Sequence, residues 1–113
     1  MKVRVEGDIV VVTPSGWLVG GAETEHLVDA IRRFVDGGAR RMVVDLSEVP
    51  MFNSLAVGSL LGCRQNLHDR GGRLVLSGAN ERLVGILRVT RMTMVFQLHE
   101  SLETAVAALE QVA

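Results

Sequence analysis

The sequence has one cysteine, Cys63, no tyrosine and only four aromatic side chains, three of them phenylalanine and one Trp17. A single thiol excludes an internal disulfide framework and fits a reducing compartment. His26, His68 and His99 stand far apart with no metal-type neighbour at useful spacing, so neither a metal nor another cofactor is expected. The scarcity of aromatics removes the stacking platforms of single-strand binders. The balance of 12 basic against 13 acidic residues removes the field that would draw a nucleic-acid backbone or an anionic membrane. No apolar stretch approaches a membrane span, and the opening MKVRVEGD meets charges before any signal-type run, so a cytoplasmic location without membrane insertion is expected. Gly20-Gly21 precedes a helical pattern, but no lysine follows in the place a phosphate loop needs, and no G-x-G-x-x-G occurs. Glu23, Glu25 and Asp29 belong to the polar side of a helix, where solvation accounts for them; no catalytic constellation is left, and a non-enzyme is expected.

What is present is a well-patterned chain of 113 residues, 48% apolar, sized for one domain over residues 1–113. Val3 and Val5 alternate with charges, Gly7-Asp8 follows, and residues 9–12 (IVVV) form a continuous β-branched run: a hairpin of an edge strand with a strand covered on both faces. Pro14, Ser15 and Gly16 break it, and Trp17 beyond them fits either strand packing or an exposed anchor. From Ala22 the period becomes helical, with Leu27, Ala30, Ile31, Phe34 and Val35 on one side and Gly37-Gly38 as the stop. Residues 41–46 (RMVVDL) read as a buried strand, Asn53 or Ser54 caps a helix to about His68, and residues 73–77 (RLVLS) form the next strand. Asn80 caps a short helix through Val89, residues 94–98 give a final strand, and Ser101 caps a last helix. Strands alternating with helices of this length imply an α/β fold: a mixed, mostly parallel sheet with an N-terminal hairpin and about four helices.

The helix starting at Ser54 is the most informative segment. At about 100° per residue, Ala56, Leu60, Cys63 and Leu67 share the face turned to the sheet. Ser54, Gly58 and Leu61 fall on the opposite side, with Gly62 beside them and Leu55 on the flank, so the outer surface is small and apolar. Glycine inside a helix costs roughly 0.5–1 kcal/mol relative to alanine. Two of them one turn apart imply close approach by another backbone, either the helix near Asn80 within the domain or a separate partner. Ser54 is either a simple cap or a hydroxyl that accepts phosphate at a helix N-terminus, where free amides and the helix dipole accommodate it.

Residues 43–62 resemble the STAS family, and the similarity runs over nearly the whole chain. Val44-Asp45-Leu46-Ser47 ends a strand and leads through a hydrophobic pair into Asn53-Ser54-Leu55-Ala56-Val57-Gly58, where the family has an Asp-Ser-Ser/Thr-Gly-Leu-Gly type motif. Gly71-Gly72-Arg73-Leu74-Val75-Leu76 resembles the family's next glycine pair and strand. The resemblance implies a single STAS-like domain and a regulatory binding module of the anti-sigma factor antagonist type, with Ser54 as the phosphorylated serine. Asn53, Ser54, Leu55, Gly58, Leu61 and Gly62 are the expected partner-binding residues. The implied partner is a serine kinase and anti-sigma factor of the histidine-kinase-like ATPase class, with a homodimer also open. The alternative is a constitutive scaffold subunit of a stress-signalling complex or of a lipid-transport ABC system. Asn53, Leu55 and Ala56 depart from the motif; asparagine keeps the cap while losing the negative charge beside the acceptor.

Overall fold

A computed structural model describes residues 1–111. β1 (Lys2–Glu6) and β2 (Ile9–Thr13) pair antiparallel, Lys2 opposite Thr13 and Glu6 opposite Ile9, across the two-residue turn Gly7-Asp8. β2 then runs parallel to β3 (Arg41–Asp45), β3 to β4 (Arg73–Ser77) and β4 to β5 (Leu98–His99), so the sheet order β1-β2-β3-β4-β5 follows the chain. Each parallel step needs a crossover, supplied by α1 (Ala22–Asp36), α2 (Ser54–Asp69) and α3 (Glu81–Val89); α4 (Leu102–Glu110) follows β5.

Alternation along the strands divides the core in two. Val10, Val12, Met42, Val44, Leu74 and Leu76 face the larger cluster, with Leu27 and Ile31 of α1, Leu60 and Leu67 of α2, and Leu83 and Leu87 of α3. Ile9, Val11, Val43 and Val75 face the other way, against Ala105, Val106 and Leu109 of α4. Covering both faces is why these strands read as unbroken apolar runs, and each fully buried Val or Leu contributes about 1.5–3 kcal/mol.

The last strand differs from expectation. Residues 94–98 do not form it: Met92–Met94 is a 3₁₀ turn, and the strand is only Leu98–His99. The amides of Val95 and Phe96 both bond to the Met92 carbonyl, at 3.0 and 2.8 Å, and so are lost to the sheet. The turn delivers Phe96 into the main core, where it is 2% exposed.

Two close approaches of the chain fix how β3, β4 and the end of α2 meet. At the carboxyl end of β3 the buried Asp45 accepts from the Ser47 amide (3.2 Å), the Ser47 hydroxyl (3.0 Å) and the Ser77 hydroxyl of β4 (3.2 Å). Gly78 passes this cluster at φ +70°, and a Cβ there would lie 2.8 Å from an Asp45 carboxylate oxygen, so glycine is required on both counts. At the far end of α2, a Cβ on Gly72 would sit 2.5 Å from the Arg40 carbonyl oxygen and 2.6 Å from Leu67 Cδ1. Only a bare backbone fits between α2 and β3.

Candidate functional site

The tip of α2 is built by two strips of chain held together by asparagines. Asn53 is the N-cap: its Oδ1 accepts from the Ala56 amide at 3.1 Å, and its Nδ2 donates to the Val19 carbonyl at 3.1 Å. Asn80 does the same one element later, accepting from the Leu83 amide at 2.9 Å and donating to the Pro50 carbonyl at 3.3 Å. Each amide thus caps its own helix through its oxygen and ties down a loop through its N–H donor, which a carboxylate lacks.

The segment after β2 lies parallel to the loop before α2. Leu18 bridges Phe52; the Leu18 amide donates to the Met51 carbonyl (3.0 Å), and the Asn53 amide to the Leu18 carbonyl (3.1 Å). In extended backbone successive side chains point to opposite sides. Leu18 is therefore buried in the core, while Trp17 and Val19 stand outside, Trp17 at 61% exposure. Leu55, 66% exposed, lies over Gly20, where a Cβ would come within 3.0 Å of its Cδ1.

Among the expected site residues, Ser54, Leu55, Gly58 and Gly62 are exposed and Asn53 is half-buried beneath them. Leu61 is half-buried against the main core, so it offers only part of its surface. The intradomain explanation for the glycines is overturned: a Cβ at Gly58 or at Gly62 would meet nothing within 4 Å, so no neighbouring helix requires them. α2 packs against α1 and the sheet instead. The sequence pattern does not single out Val19, offers Gly20 only as half of a turn glycine pair, and leaves Trp17 open between packing and exposure. The usable signal was the alternation Trp17-Leu18-Val19 directly after the Pro14-Ser15-Gly16 break.

Electrostatically the tip is bare. The first turn of α2 carries no acidic residue, and among the described residues nothing hydrogen-bonds the Ser54 hydroxyl. The amides of Ser54 and Leu55, in the first turn, have no carbonyl one turn earlier in the helix to receive them. Further along the same helix, burial raises the Cys63 thiol above its ordinary range and keeps the sulfur protonated and unreactive, an effect the positive charge of Arg32 only partly opposes. Among the described residues no three His, Cys, Asp or Glu side chains converge as a metal-binding group, and no helix is long and apolar enough to cross a membrane.

Fold and tip together define a three-layer α/β domain whose second helix presents an uncharged, apolar end carrying a free hydroxyl. The chain belongs to the STAS domain family, whose model matches residues 1–105. A relative from Thermotoga neapolitana, named as a homolog of an anti-sigma factor antagonist, is 22% identical over 104 residues, 90% of each chain. The crystal structure of an anti-sigma factor antagonist from Mycobacterium paratuberculosis superposes with a TM-score of 0.85 at 22% identity, over 97% of this chain and 92% of that one. The Bacillus protein SpoIIAA, an anti-sigma factor antagonist solved in unphosphorylated and phosphorylated forms, has the same fold. Its unphosphorylated form gives a TM-score of 0.74 at 17% identity, over 98% of each chain.

Proposed function

We propose that this chain is a regulatory binding module of the anti-sigma factor antagonist type, acting as one domain over residues 1–113 in the cytoplasm and switched by phosphorylation of Ser54. The observation that carries the reading is the unbonded Ser54 hydroxyl at a helix tip with no acidic residue in its first turn, exposed together with Leu55, Gly58 and Gly62 of the same helix and with Trp17 and Val19 of the strip bonded to the loop before it. Side chains this short at Gly58 and Gly62 let a partner backbone approach the helix, and Trp17 and Leu55 supply apolar area to bury. Asn53 and Leu61 serve from below, one fixing the tip and the other filling the edge of the face.

The partner is a serine kinase and anti-sigma factor of the histidine-kinase-like ATPase class, which holds the ATP because this chain has no phosphate loop. The Ser54 oxygen bonds to the γ-phosphorus, the bond from that phosphorus to the ADP oxygen breaks, and the hydroxyl proton passes to a base on the partner. The new group carries about −1.5 to −2 charges at neutral pH. The first-turn amides of α2 tolerate it in the free protein, so folding survives. Against a docked apolar surface the same charge loses its water without compensation, and the complex dissociates. A named relative solved in both phosphorylation states supports the reading.

A constitutive scaffold subunit is the second reading, favoured by the bulky Leu55 and the uncharged Asn53 where the family motif has a hydroxyl residue and an aspartate. One experiment separates the two. Incubation with the cognate kinase and ATP should place one phosphate on Ser54, detected by peptide mass spectrometry, and Ser54→Asp should weaken partner binding by at least about tenfold, roughly 1.4 kcal/mol. No phosphopeptide together with unchanged affinity in Ser54→Asp removes the switch. If Gly58→Trp then still abolishes assembly, the scaffold reading stands.

A further inference from the structure

The charges of this nearly neutral chain are unevenly placed. Residues 62–99 hold six arginines and only two carboxylates, Asp69 and Glu81, whereas the rest of the chain is acidic. Within that basic stretch a cleft of about 410 Å³ opens between the carboxyl half of α2, the start of β4 and the strap that follows the 3₁₀ turn. Its charged and titratable lining is Arg64, His68 and Arg73, with no carboxylate among the lining residues.

Nearby acids are engaged elsewhere: Asp69 accepts from Gln65 at 2.8 Å, and Asp36 pairs with Arg70 at 3.3 Å. Arg64 has no ion-pair or hydrogen-bond partner among the described residues. Arg73 donates one guanidinium nitrogen to the Gln97 side chain, which fixes the plane of the fork and leaves its other N–H groups available. The apolar part of the cleft is Leu74 at its wall and Met94, 85% exposed, at its rim. Two guanidinium groups without a carboxylate are matched to a compact oxyanion, which each can engage through two parallel N–H donors. The volume lies in the range of small-ligand sites, roughly 300–1,000 Å³, and leaves room for more than the anion alone.

We propose that this cleft binds a small molecule with a phosphate-type oxyanion on an apolar body, the anion held by Arg64 and Arg73 with His68 beside it, and the body resting on Leu74 and Met94. The site is distinct from the Ser54 tip. Arg64 lies ten residues further along the same helix, about 15 Å at 1.5 Å per residue, so ligand and protein partner can be held together.

The test uses the isotopically labelled full chain and phenyl phosphate as probe, followed by amide NMR. Saturable shifts confined to residues 64–75 and 94–97 are expected, with phenol giving none and inorganic phosphate binding more weakly than phenyl phosphate. Arg64→Gln should weaken the probe by about tenfold, the loss of one charge-assisted contact, while Arg33→Gln on α1 leaves it unchanged. Arg64 makes no hydrogen bond or ion pair among the described residues, so its replacement breaks no polar tie in the fold, and the spectrum itself reports whether the fold is intact. Shifts that do not saturate, that spread over the arginine-rich surface, or that persist unchanged in Arg64→Gln overturn the site.

Discussion

Asn53 carries two jobs on one amide, and this explains why an aspartate at the same place is not equivalent here. Both residues cap a helix equally well, but only the amide can donate to the Val19 carbonyl. Asn53→Asp should keep α2 and loosen the strip bearing Trp17, lowering stability by about 1 kcal/mol, the net worth of one hydrogen bond plus the carbonyl it abandons. Thermal unfolding measures the loss, and faster hydrogen exchange at the Leu18 amide locates it. A variant as stable as the parent would mean that the tie to Val19 is idle. Cys63 gives a second prediction at this scale. Its folded pKa is raised by burial, so its contribution to stability is whole below the ordinary thiol range and is lost as pH rises through and beyond it. Alkylation should accordingly be slow in the native protein at neutral pH and fast once urea unfolds it. Rapid native labelling would contradict the burial.

At the scale of the element, α2 combines a well-filled inner face with an outer face that has no internal use for its glycines. The helical period identified Ala56, Leu60, Cys63 and Leu67 as the inner residues; all are buried, with Val57 added. The outer glycines were legible as an oddity, but whether another helix covered them depended on how α3 is placed, which periodicity does not encode. Gly58→Ala should raise stability by about 0.5–1 kcal/mol, because its Cβ enters open space and alanine loses less backbone entropy. Gly72→Ala should lower it by roughly 1–3 kcal/mol, because the new atom collides with the Arg40 carbonyl and the backbone has to move. Chemical denaturation of both variants tests the pair, and the opposite signs are the point: equal effects would mean that the surroundings of the two glycines do not differ.

For the whole molecule, the sheet is covered unequally. Three helices lie over one face, while among the described residues α4 is the helix packed on the other through Ala105, Val106 and Leu109. Leu109→Ala should cost about 2–5 kcal/mol, whereas Val89→Ala, at a side chain 84% exposed, should stay within about 0.5 kcal/mol. Denaturant midpoints decide between them, and a mild effect at Leu109 would mean that α4 is not essential to the second face. The sequence by itself determined the hairpin, the order of strands and helices, the capping residues Asn80 and Ser101, and the tip at Ser54, because period, turn chemistry and caps act over a few residues. Where it misread, at residues 94–98, a β-like run was diverted by a 3₁₀ turn that drives Phe96 inward, a gain visible only once the core exists. Tertiary structure alone decided that the strip carrying exposed Trp17 and Val19 lies beside the loop leading to exposed Leu55, that Asn53 reaches across to Val19, and that Arg64 and Arg73 line a common cleft. Those relations join residues distant in the chain, and their geometry is set by how the helices settle on the sheet.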